Sequence, residues 1–362
     1  MSRSQAKPSR ILRSICLVLT VSLFAASCSA TPDADSATEH LEPGSLLPLA
    51  EQTTSYPLTL ESPFGETVLS KRPERIAAVA PTAIDTELLL ALGVTPILSS
   101  SLVSEGGYLD DHGAAEIETY EFVSGEDIPI ETIAASDPDL IVAVGWTDGL
   151  SGVNLGDYYD RLTSIAPVLT SPDTSSQQLI PWQDSIRLLG KALDLEDAAA
   201  KVVTQHKDHF AAIRDDHPEF AGLTTSWVLN FGAANGLRYM SPSGSGTELF
   251  LSELGFIPNP KADQFIGDPW VSSELLTQID ADVLLLGQTV NASDEEMHEL
   301  VSENTLFTNL GAVVSGHLVQ LAPKTEDDRD LLWTVTVGGP IGQKWAADYL
   351  VPLIADVLTK TS

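Results

Sequence analysis

Cysteine is nearly missing from this chain: Cys16 and Cys28 are the two in 362 residues. Both lie close to the N-terminus, so the body that follows can form no internal disulfide and must be held by packing alone. Basic side chains are also scarce, with 19 Lys and Arg against 51 Asp and Glu, a formal net charge of −32 at pH 7. Nucleic-acid phosphate would be repelled by such a surface, which excludes that class of partner. The seven His are scattered, and of these only His206 and His209 are spaced to share a helical face. Charged Lys207 and Asp208 between them suggest that both face solvent, so no protein-borne metal site or resident cofactor is expected. A nucleophile elbow and a phosphate-loop lysine are both missing from the one Gly/Ser-rich stretch, SGSGT at 243–247, where the glycines serve to let the chain enter a helix at Glu248. No catalytic residue is therefore assigned.

What the N-terminus does hold is Arg3, Lys7, Arg10 and Arg13 with no acid, then the apolar run ICLVLTVSLFAA at 15–26. Twelve residues are too few to span a bilayer as a mature helix, but they suit the core of a secretory signal. Ala25, Ala26 and Ser27 before Cys28 resemble a bacterial lipoprotein processing site, with Ala25 standing where Leu is usual. The expectation is a signal peptide over 1–27 and an acylated Cys28; plain secretion with cleavage near Ala30 is the alternative. Residues 28–54 are rich in Ser, Thr, Pro and acids and read as a flexible tether.

From residue 55 the chain alternates short apolar strands with helices. RIAAVA at 75–80, VTPIL at 94–98 and DLIVAV at 139–144 read as strands, the first and last of them continuously apolar, the pattern of a parallel sheet covered on both faces. The series begins again at TSWVLN, 225–230, and DVLLL, 282–286, and a small hairpin is expected over 313–321. Between the two series lies PWQDSIRLLGKALDLEDAAAKVVTQHKDHFAAIRDDH, 181–217, apolar at helical spacing, with a break near Gly190 expected. A straight helix of this length would span roughly 50 Å at about 1.5 Å per residue. It reads as a strut between lobes, the other reading being a long surface helix of one large domain. The fold class expected is α/β: two Rossmann-like lobes with parallel-rich sheets, 55–180 and 218–362, joined by a long rigid α-helix.

The lobes carry an internal echo. In IETIAASDPDLIVAV and SELLTQIDADVLLL, a Glu in a first helical turn, Glu131 or Glu274, lies eight residues before the Asp that opens an apolar strand. Acids favour helix N-termini by a few tenths of a kcal/mol or more, so chance alone can place two such residues. The shared spacing favours related lobes.

The ordered set YPLTLESPFGETVLSKRPERIAAVAPTAIDTELLLALGVTPI, IETIAASDPDLIVAVG, PWQDSIRLLGKALDLEDAA and VSSELLTQIDADVLLLG resembles the class III substrate-binding proteins of ABC importers. These bind ferric siderophores, haem and cobalamin, and the opening leans toward the siderophore branch. The resemblance implies that Glu131 and Glu274, one on each lobe, dock on an ABC permease. It further implies a ferric siderophore, arriving already chelated, as ligand and a monomer held to the membrane by its lipid. In such a fold the ligand lies at the carboxyl ends of the strands. The candidates there are Trp146 and Tyr108 in the first lobe and Arg238, Tyr239, Trp270, Arg329 and Trp333 in the second. Aromatics give flat apolar walls, and an Arg bonds oxygen ligands around a chelated metal. Trp182 and Trp345, on helices beside apolar neighbours, read as structural. Cobalamin or haem binding, a secreted α/β hydrolase, and an interaction module that has lost transport remain as alternatives.

Overall fold

The computed structural model describes residues 46–102, 107–123, 126–146, 148, 152–172 and 181–360. The expected signal peptide, Cys28 and most of the expected tether lie outside these residues.

The first lobe opens with an antiparallel hairpin, β1 (Leu58–Ser62) and β2 (Gly65–Leu69), turning at Gly65, whose φ of 120° a side chain would resist. There follow β3 (Ile76–Ala78), α1 (Ile84–Ala91), β4 (Ser99–Ser100), β5 (Thr119–Tyr120), α2 (Ile130–Ala135), β6 (Leu140–Ala143), α3 (Gly156–Thr163) and β7 (Val168–Thr170). Strands β3, β6 and β7 pair in parallel, β4 pairs in parallel with β5, and a parallel bridge from Ala77 to Leu98 joins the two sets. The continuous apolar strands split by period two. Leu140 and Val142 enter one core with α1, while Ile141 and Ala143 enter another on the opposite face.

The connection between lobes is helical, but it is two helices: α4 (Trp182–Leu193) and α5 (Glu196–Asp216). The break falls at Asp194, in the left-handed region at φ 57°, four residues past Gly190. Gly190 serves a close approach instead. A Cβ there would meet Ala199 Cβ at 2.7 Å and the Leu195 carbonyl oxygen at 2.9 Å. Helix α4 belongs to the first lobe's core, so the strut is α5 alone, 21 residues or roughly 32 Å. Its Ala199 and Val203 enter the first lobe's core and its Phe210 enters the second's. His206 lies on the same stripe and is buried, with Nε2 2.7 Å from Glu253, which corrects the expectation that it faces solvent. His209 is half-buried beside Asp348.

Residues 46–54, expected as tether, pack on the body. Leu47 enters the first lobe's core, and the Asp194 carboxylate accepts the amides of Gln52, Thr53 and Thr54 at 2.8–3.0 Å. In return Glu51 caps α5 through the amides of Asp197 and Ala198. Composition hid this: a few apolar residues and reciprocal caps are enough to hold so short a segment.

The second lobe holds β8 (Thr224–Asn230), β9 (Leu237–Tyr239), α6 (Gly246–Glu253), β10 (Ile257–Pro258), β11 (Trp270–Val271), β12 (Val283–Gln288), α7 (Asp294–His298), α8 (Thr305–Thr308), α9 (Gly311–Val314), β13 (Leu318–Leu321), α10 (Leu331–Val337) and α11 (Pro340–Thr359). Its sheet runs β11-β9-β8-β12-β13, with β8, β12 and β13 parallel, β9 and β11 added as an antiparallel edge, and β10 beside the start of β8. The hairpin expected over 313–321 is instead the end of α9 followed by β13, because the Asp280 carboxylate accepts the Gly311 and Ala312 amides and starts a helical turn. The internal echo has a physical basis. Asp139, just before β6, accepts the amides of Glu74 and Arg75 ahead of β3, and Asp282, just before β12, accepts the Thr224 amide that opens β8.

Candidate functional site

Asp85 organises the carboxyl ends of the first lobe's strands, where a ligand is expected in such a fold. From the first turn of α1 it accepts the Ala80 amide at 3.0 Å and the Gly145 amide at 2.7 Å, tying the carboxyl ends of β3 and β6 together. Burial pushes its pKa up to about 6, against the pull of those amides. Gly145 admits no side chain, since a Cβ would lie 1.8 Å from Ile84 Cγ2.

Trp146, the next residue, is sealed in the core, and its indole N–H donates to the Val153 carbonyl at 3.1 Å. It offers no surface to a ligand. Tyr239 is likewise buried, stacked on Phe265 with ring centroids 4.2 Å apart. Strand alternation explains both Tyr239 and its neighbour: Leu237 and Tyr239 point into one core, which turns Arg238 to the other face.

Arg238 stands directly across from Trp270 in the β9–β11 register, with its guanidinium 5.7 Å from the indole centroid. Phe231, just past the end of β8, meets Trp270 edge-on at 5.7 Å. Trp270 remains 41% exposed. Arg238 is half-buried, and its Nε is buried with no hydrogen-bond partner. Burial lowers its pKa, and no carboxylate among the described residues counters that shift. A desolvated cation left unpaired in so acidic a chain leaves an opening for an oxygen acceptor from outside. Trp333, 39% exposed, stands at the start of α10, whose first turn is capped by Asp330. Phe231 was missed in the sequence because its place beside Trp270 depends on how β8, β9 and β11 pair.

The structure puts Tyr108 and Arg329 elsewhere. The Tyr108 hydroxyl donates to Glu87 Oε2 at 2.8 Å, and its ring stacks with Trp345 at 6.2 Å. Arg329 bonds Asp111 of the first lobe at 2.9 Å and Asp327 at 3.0 Å, above the Trp345 ring. Both residues are thus engaged in the seam between lobes, along a groove of about 700 Å³ that also touches His209 and Asp348. Trp182 is structural, as expected, donating to Gln343 Oε1 at 3.0 Å. Ser245 in the Gly/Ser-rich stretch caps α6 by accepting the Glu248 amide. Glu131 is exposed and 3.7 Å from Arg161, itself exposed; Glu274 is exposed on a turn ahead of a short 3-10 helix.

A family model described as periplasmic binding protein matches residues 76–325. The chain belongs to the periplasmic binding protein family. It is a solute-binding protein of the extracytoplasmic kind and not an enzyme. Among the described residues no helix is long and apolar enough to cross a membrane. Comparison with curated protein sequences finds no match. Solved structures do match. A periplasmic solute binding protein from Mycobacterium smegmatis has a TM-score of 0.67 at 24% identity, over 83% of this chain and 98% of that one. PiaA of Streptococcus pneumoniae, in complex with ferrichrome, has 0.65 at 21%, over 84% and 99%. SirA of Staphylococcus aureus, complexed with staphyloferrin B, has 0.62 at 19%, over 83% and 98%. At these identities the likeness is one of fold, and it extends over nearly the whole of each relative.

Proposed function

We propose that this periplasmic binding protein captures a ferric siderophore between its lobes and delivers it to an ABC permease. The observation that supports the reading is the exposed Trp270 beside Phe231 and Arg238, whose Nε has no partner, and these three are proposed as one wall of the cleft. An aromatic wall with one unsatisfied guanidinium suits a bulky chelate whose outer atoms are oxygens. Two proteins of the same fold, PiaA and SirA, were solved with ferrichrome and staphyloferrin B, which supports the ligand class. Trp333 is a further contact on the same lobe. Glu131 and Glu274 are the docking carboxylates, one on each lobe, and Cys28 carries the lipid that holds a monomer to the membrane. The lobes are 55–180, extended by residues 46–54 and by α4, which pack on it, and 218–362, with α5 as the strut between them.

Titration of the purified protein with hydroxamate, catecholate and carboxylate ferric chelates, read by tryptophan quenching, tests the reading. Saturable binding of at least one chelate, with cobalamin and haem binding far more weakly, is expected. No saturable binding of any chelate, or preference for cobalamin or haem, would overturn it.

A further inference from the structure

Helix α11 lacks an N-terminal cap of its own. Its N-cap is Gly339, Pro340 follows, and its first turn holds no acid. The cap comes from the other lobe. Glu87, on α1 and 252 residues away from Gly339, is fully buried and accepts the Gly339 amide on Oε2 at 2.9 Å. Its Oε1 accepts the amides of Ile341 at 2.9 Å and Gly342 at 2.8 Å. With the Tyr108 hydroxyl added, four donors converge on one carboxylate, and three belong to the first turn of a 20-residue helix. A helix N-terminus favours negative charge, which offsets part of the cost of burying the carboxylate.

The two glycines are required by space. A Cβ on Gly339 would lie 2.7 Å from Ile84 Cδ1 and 3.0 Å from Glu87 Oε1. On Gly342 it would lie 2.8 Å from Thr334 Cγ2 of the same lobe and 2.9 Å from Tyr108 Cε2. The backbone of α11 therefore approaches α1 as closely as atoms allow. Two weaker cross-lobe bonds flank the contact: Asp111 with Arg329 at 2.9 Å and Trp182 with Gln343 at 3.0 Å.

We infer that Glu87 is an inter-lobe latch, and that it, together with α5, sets the angle between the lobes. A single connecting helix fixes the length of a connection but leaves rotation about its ends weakly restrained. A second, buried attachment removes that rotation. Glu87 is thus a positioning residue for both cleft walls, and it touches no ligand.

The test uses the ligand-free full chain with Cys16 and Cys28 replaced by Ser and nitroxide labels on cysteines introduced at Glu131 and Glu274. The Tyr108→Phe change keeps the three amide bonds; Glu87→Gln presents an amide N–H₂ to donors. Pulsed electron resonance should give one narrow distance for the parent and for Tyr108→Phe, and a distribution at least twice as wide for Glu87→Gln. If Glu87→Gln does not fold, Gly339→Ala, whose added Cβ meets Ile84 and Glu87 of α1, should give the same widening. A narrow distribution in the folded variant overturns the latch even if its melting temperature falls, because that result marks a purely structural role. No ligand enters the measurement, so its outcome is independent of siderophore binding.

Discussion

Arg238 shows how one residue acquires meaning from its surroundings. Cations such as Lys71, Arg187 and Lys344 pair with carboxylates at the surface, where an ion pair contributes little. Arg238 is half-buried against Trp270, its Nε has no partner, and burial lowers its pKa. Its unsatisfied hydrogen-bonding capacity favours whatever oxygen a ligand brings. Replacing it with Ala should weaken chelate binding by about 1.5–3 kcal/mol, the range for a hydrogen bond to a charged group. Trp270 stays in place as the reporter, so the loss is read in the same quenching titration. An unchanged affinity would remove Arg238 from the cleft wall.

At the scale of elements, the turn between α4 and α5 is the junction on which the body's first residues are hung. Asp194 makes that turn possible twice over. It takes the left-handed conformation, and its carboxylate accepts the amides of Gln52, Thr53 and Thr54 and the Thr53 hydroxyl. Burial raises its pKa, but the bonds from Thr54, Thr53 and Gln52 outweigh burial and hold the acid below its ordinary range. A carboxyl depressed in the folded state contributes stability that is present above its unfolded pKa and lost as pH falls through the folded one. Asp194→Asn keeps a side chain that tolerates the left-handed backbone, so the carboxylate is what changes. The variant should be less stable by about 1–3 kcal/mol at pH 7 in urea unfolding. That difference should shrink as pH is lowered below about 4, near the unfolded pKa of an Asp. A difference constant from pH 7 to pH 3 would assign the effect to shape instead of charge.

For the whole molecule, the lobes form one body with a helix and a buried seam between them. Glu131 and Glu274 stand on separate lobes, exposed, with Glu131 only loosely paired to Arg161 at 3.7 Å. An exposed pair of that kind adds little to stability, whereas truncating a carboxylate that is buried in a docked interface costs about 2–5 kcal/mol. Reversing both to Lys should abolish uptake of the ferric chelate by iron-depleted cells. Chelate affinity and melting temperature should stay near those of the parent. Normal uptake by the double variant would dismiss the docking role and leave the two acids as ordinary features of a helix and a turn.

Much of the fold was legible in the sequence, for physical reasons. Short uninterrupted apolar runs such as DLIVAV suit a strand with a core on both faces, and β6 has both. Helical spacing over 181–217 dictated a helical link, and the spacing of acids ahead of apolar strands identified paired units whose Asp139 and Asp282 clip neighbouring strands. Those signals are local, so sequence carries them. Which face a residue takes is not local. Trp146 and Tyr239 follow strands or lie in them as the cleft requires, yet packing turns both inward, while Phe231 comes to the wall through the pairing of β8, β9 and β11. Arg329 and Tyr108 were legible as polar and aromatic residues near strand ends, but their partners, Asp111 and Glu87, are brought to them by tertiary contact. Glu87 stands directly ahead of three leucines in α1, and nothing in that run marks it as buried. Only the arrival of α11, 252 residues later, gives its buried carboxylate the donors that justify the burial. Period and composition determined the lobes and the link. The tertiary structure decided which charges lie open to a ligand and which hold the lobes together, because burial and pairing depend on contacts that no stretch of sequence contains by itself.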